Sequence, residues 1–71
     1  MMTGSNDRSP LPLYRVTFLH VRNGTKYEVT VRSVSQYRAR KDGEAALARH
    51  VALTAGHVAD WAWYGTAEVQ A

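Results

Sequence analysis

The sequence contains no cysteine. No disulfide can staple this chain, and no zinc site with thiolate ligands can form. The same absence fits a reducing compartment, so the expected location is cytoplasmic. Proline occurs twice, at Pro10 and Pro12, which leaves everything downstream free of proline breaks. No apolar run approaches the roughly 18 residues that a spanning helix needs, and no membrane partner is expected. Met1 to Ser9 is polar throughout, unlike a signal peptide. There is no glycine-rich phosphate loop, no paired-carboxylate spacing and no G-x-S-x-G motif. The chain is therefore not expected to be an enzyme, and no cofactor is expected.

Acidic residues are also scarce, at 6 against 9 lysines and arginines, for a formal charge of +3. That excess makes nucleic acid a possible partner without requiring one. At 71 residues the chain has room for one domain. A chain of this size buries only about 60% of the surface its unfolded form exposes, so its core is thin. Without disulfides, self-association is one route to stability, and a homodimer is expected.

Residues 1–12 read as a polar, disordered arm, and 13–71 as the single folded domain. Leu13 to Arg22 and Thr25 to Val34 are rich in β-branched and aromatic residues and flank Asn23-Gly24. That pair favours a two-residue type I′ hairpin turn, since both central positions need a positive φ. The turn would set Arg22 against Thr25, His20 against Tyr27, Phe18 against Val29, Val16 against Val31 and Tyr14 against Ser33. These residues share one face. The other face would oppose Arg15 to Arg32, a like-charge pair, with Leu19 and Val21 nearby.

Asp42 is the better helix cap, with Glu44 in the first turn, and predicts a helix over about Gly43 to Ala55. A longer helix from Gln36, capped by Ser35, would carry Gly43 in its interior at a cost of about 1 kcal/mol. Gly56 is the expected left-handed stop. Leu47, His50, Val51 and Thr54 form the helix's apolar stripe.

A third strand is expected from about Trp61 to Gln70. Trp61, Trp63, Ala67 and Val69 would face the helix, and Gly65 leaves room for a bulge. The fold class is α+β, in the order β-β-α-β: a three-stranded mixed sheet of order 2-1-3 with one helix on one face. Val16, Phe18, Val29, Val31, Leu47, Val51, Trp61, Trp63 and Val69 are the expected core.

His50, His57 and Asp60 offer too few ligands at too wide a spacing for structural zinc, so no metal site is expected. His20 reads as a packing partner of Tyr27 across the hairpin. The Trp61/Trp63 pair reads as core rather than as a ligand cage. What remains is surface. A half-apolar outer face and an open third-strand edge, with Glu68 its single charge, suit contact with a protein partner. Arg15, Leu19, Val21, Arg32 and Tyr64 are the candidate contact residues. The competing reading is nucleic-acid binding through Arg15, Arg32, Arg38, Arg40 and Lys41, with Tyr37 and Tyr64 available to stack on bases.

Lys26-Tyr27-Glu28-Val29-Thr30-Val31, the alanine-rich helix and the closing tryptophan strand resemble small accessory proteins of high-GC actinobacteria and their phages. The resemblance implies a small non-enzymatic effector or regulator acting on a host protein. It assigns no functional residues.

Overall fold

A computed structural model describes residues 11–69. Most of the expected N-terminal arm, and Gln70 at the expected end of the third strand, lie outside the described residues. Leu11 and Pro12 are tied to the domain: Ser33 N–H donates to the Pro12 carbonyl, and Arg32 Nη1 donates to that of Leu11.

The elements are β1 (Leu13–His20), β2 (Lys26–Arg32), α1 (Gln36–Leu53), a 3-10 turn (Val58–Asp60) and β3 (Trp61–Val69). The sheet order is β2-β1-β3, as expected from the apolar character of the first strand. Both neighbouring pairs are antiparallel. In hydrogen-bonding terms the sheet is therefore antiparallel rather than mixed. β2 and β3 do run in the same direction, but β1 separates them, and α1 crosses over one face to join them.

The hairpin keeps its faces and changes its partners. Val16 lies opposite Val29, Phe18 opposite Tyr27, Tyr14 opposite Val31 and Arg15 opposite Thr30. Each pair is displaced by two residues from the type I′ expectation. Arg32 faces Leu13, so the expected Arg15–Arg32 opposition does not form. The cause is a longer loop over Val21–Gly24: His20 N–H donates to the Thr25 carbonyl at 2.8 Å, and Gly24 N–H to that of His20 at 2.9 Å. Within this loop only Gly24 takes a positive φ, at 73°. Asn23 instead uses its Oδ1 to accept from Thr25 N–H at 2.8 Å, an Asx turn. Val21 N–H is drawn away from the hairpin to the Asp60 carbonyl at 2.8 Å, where β3 begins. A displacement of two preserves the period-two alternation, so each residue keeps its expected face.

α1 starts at Gln36, seven residues before Gly43: the helix is the longer of the two expected forms. Ser35 Oγ accepts from Arg38 N–H at 3.2 Å, which caps it. The cations in its first turns are offset one turn on by Glu44, 3.2 Å from Arg40 Nε and 3.9 Å from Lys41 Nζ. The buried stripe is Ala39, Gly43, Leu47 and Val51, a run at i+4 spacing. Thr54 is exposed, and Leu53 is 87% exposed.

The left-handed stop falls on Ala55, at φ 59°, not on Gly56. Gly56 N–H donates to the Val51 carbonyl at 2.9 Å and Ala55 N–H to that of Ala52 at 3.5 Å, the two bonds of a Schellman end. Thr54 is the cap, one residue past the helix, and this places the left-handed position one residue earlier than expected.

The core comprises Tyr14, Val16, Phe18, Ala39, Leu47 and Val51, with Tyr27, Val29, Val31 and Trp61 packed around it. Trp63 and Val69 are not part of it. A bulge in β3 turns Val69 to the outer face, while Trp63 keeps the helix face and is left 42% exposed beside α1.

Candidate functional site

β3 pairs with β1 regularly from Val69, opposite Leu13, to Gly65, opposite Thr17. The ladder then skips: Phe18 lies opposite Trp63, and Tyr64 is left without a partner. This is a β-bulge, and it reverses the alternation along the strand. Thr66 and Glu68 stand opposite Val16 and Tyr14, on the helix face. Ala67 and Val69 stand opposite Arg15 and Leu13, on the outer face. The expectation that Ala67 and Val69 share the core face with the tryptophans is therefore corrected.

The bulge has a second consequence. In a regular strand, residues three apart point to opposite faces. With the extra residue between them, Trp63 and Thr66 share the helix face, and Trp63 Nε1–H donates to Thr66 Oγ1 at 2.9 Å. Across from them the first turns of α1 bring Arg40, whose guanidinium carbon lies 4.2 Å from the centre of the Trp63 ring. This is a cation–π contact, with Arg40 steadied from behind by Glu44. Together with Gln36 and Tyr37 these residues line a groove of about 170 Å³ between α1 and β3. Trp63 is 42% exposed, so its ring is a groove wall rather than core. Lys41 Nζ lies 5.5 Å from the Tyr37 ring, which extends the basic, aromatic rim.

The opposite end of the helix face holds a second aromatic group. Tyr27 and His50 stack with centroids 4.5 Å apart, and His20 meets Trp61 edge-on at 5.1 Å. Trp61 also lies 6.4 Å from both Tyr27 and His50. His20 thus packs on Trp61 of β3 rather than against Tyr27, because Tyr27 faces Phe18 in the observed register. His20 Nδ1 accepts from Arg22 N–H at 3.2 Å. Among the described residues, no group of three or more His, Asp or Glu is placed to hold a metal ion.

The sequence-derived candidates fall in four separate places. Arg15, Leu19 and Arg32 lie on the outer sheet face, with Arg15 and Arg32 exposed and Leu19 half-buried. Val21 is in the hairpin loop, and Tyr64, 69% exposed, is at the bulge. Arg38, Arg40 and Lys41 are on α1, which covers the other side of the sheet. The five cations of the nucleic-acid reading therefore divide between two sides of the sheet instead of forming one stripe. The groove joining Gln36, Tyr37, Trp63 and Thr66 was not foreseen. Its sequence signal was the Arg40/Glu44 spacing, which places a cation and its partner on one helix flank. Nothing local marked Trp63 as that cation's seat.

The class these features define is an open-sheet α+β domain with one face covered and two uncovered edges. No family model matches the chain, and no curated protein or solved structure matches it. Among the described residues, no helix is long and apolar enough to cross a membrane.

Proposed function

We propose that this domain is a non-enzymatic interaction module of the cytoplasm, acting as a small effector or regulator that associates with itself and with a protein partner through its open sheet. The observation that carries this reading is the uncovered β3 edge. β3 is nine residues long, and within it Glu68 is the single charged side chain. An edge with so little charge, no lysine and no proline is a template for another strand. The β2 edge carries Lys26, Glu28 and Arg32 and is better protected.

Between the two routes to self-association, charge favours the edge. The outer face presents Arg15, Lys26 and Arg32 against Glu28, and Glu28 already accepts from Thr17 at 3.5 Å. Stacking two such faces would bring like charges together. Pairing β3 with β3 does not. Light scattering across a concentration series tests the reading: a dimer that grows in with concentration supports it, and a monomer throughout removes self-association.

Nucleic-acid binding is the weaker reading. The division of its five cations between two sides of the sheet argues against a single phosphate track.

A further inference from the structure

The groove between α1 and β3 lies beside the same β3 edge on which the proposed function rests. An extended peptide that adds to a sheet edge is held by main-chain hydrogen bonds, and its alternate side chains enter whatever pocket lies beside that edge. Here the pocket is built. One wall is Trp63 and Thr66, brought to one face by the bulge at Tyr64. The facing wall is Arg40, with Tyr37 beside it.

The charge of the pocket selects the side chain. Arg38, Arg40 and Lys41 occupy the first turns of α1, and the first turn holds no acidic residue. The helix N-terminus adds its own positive partial charge. Arg40 uses Nε for Glu44. Among the described residues its terminal nitrogens have no partner, which leaves a donor fork suited to a carboxylate. Base stacking is the less favoured use, because the Arg40 guanidinium already covers one face of the Trp63 indole.

We infer that β3 accepts an extended acidic peptide as a fourth strand, with a carboxylate of that peptide seated on Arg40 between Tyr37 and Trp63. The inference rests on the reading of this domain as a module with an open edge, and it names the class of partner.

The test uses the full chain, isotope-labelled, with synthetic peptides of about eight residues that alternate serine and valine. One peptide carries a central glutamate, a second glutamine and a third lysine. A fourth is the glutamate peptide with alternate backbone amides methylated, which removes its strand-pairing donors. The glutamate peptide is expected to bind, with shifts concentrated on the Trp63 indole and the backbone amides from Gly65 to Val69. Arg40→Gln should weaken it about tenfold and leave the glutamine peptide unchanged. Arg40→Lys, which keeps the charge and loses the fork, should retain part of the preference.

Equal affinity for the lysine peptide overturns the inference, as does undiminished binding of the methylated peptide. Shifts on the outer face around Arg15 and Leu19 overturn it as well. So does binding of oligothymidylate at Trp63 with none of the peptides. A protein that is monomeric at every concentration and still binds the glutamate peptide supports the inference while removing self-association. A dimer that none of the peptides perturbs, with β3 amides unmoved, overturns the inference and leaves self-association standing.

Discussion

Gly43 of α1 lies so close to Val16 of β1 that a Cβ added to the glycine would sit 2.8 Å from Val16 Cγ1 and 2.9 Å from its Cβ. Val16 is fully buried at the centre of the sheet. A glycine that looks like a helix breaker is a point where the helix comes close against the sheet.

This contact sets the sign of the first prediction. Gly43→Ala gains about 1 kcal/mol of helix propensity. Against that, overpacking costs about 1–3 kcal/mol. The cost should win, since Val16 Cβ is fixed to a central strand and its branched side chain has little rotamer freedom. Denaturant unfolding should show a lower midpoint for Gly43→Ala. In a Val16→Ala background the same substitution should be less harmful.

Ala55→Gly should act in the opposite direction. Ala55 is exposed and holds a left-handed conformation at φ 59°. Relieving that conformation should raise stability by about 0.5–1 kcal/mol after the added entropy of the unfolded chain. Thermal unfolding of the single variant is sufficient to check it, because no packing is lost.

The loop geometry separates two adjacent residues. Gly24→Ala should destabilise by about 1 kcal/mol, because the added Cβ meets a left-handed backbone. Asn23→Gly should cost only the Asx hydrogen bond, about 0.5–1 kcal/mol. A type I′ turn would make Asn23→Gly nearly neutral or favourable. Cross-strand proton contacts between Phe18 and Tyr27, rather than Phe18 and Val29, report the same register directly.

Self-association by edge or by face can be told apart with two lysines. Leu19 sits on the central strand and Ala67 on the β3 edge, both on the outer face. Edge pairing predicts that Ala67→Lys yields a monomer while Leu19→Lys does not. If both variants dissociate the dimer, the outer face is the interface.

Trp63 and Arg40 should be energetically coupled. A double-mutant cycle over Trp63→Ala and Arg40→Ala should show about 0.5–1 kcal/mol of interaction, as for a solvent-accessible cation–π pair. Independence of the two changes would mean that the groove wall is not held in place by this contact.

Much of the architecture was legible because it depends on local rules. Asn23-Gly24 marked the hairpin, the apolar stripe of Val16 and Phe18 marked the central strand, and the helical crossover made β2 and β3 run in the same direction. The pairing register was not legible. Both registers keep the apolar residues on one face, and the observed one goes with the longer loop, whose Val21 N–H donates to the Asp60 carbonyl, distant in the chain. The helix start was misjudged for a similar reason. Local rules penalise Gly43 and the early cations, while the contact with Val16 and the partnership with Glu44 lie outside any single turn.

The sequence by itself determined the element order, the assignment of β1 and β2 residues to faces, and the low charge of the β3 edge. These follow from side-chain periodicity and turn chemistry, which act over a few residues. Only the tertiary structure decided where the bulge falls, and so which side of the sheet Thr66, Ala67 and Val69 occupy. It also decided that Trp63 would meet Arg40 at a groove instead of filling the core. A bulge is one unpaired residue, and its position is set by how two strands distant in sequence fit beneath a helix. No window of the chain contains that information.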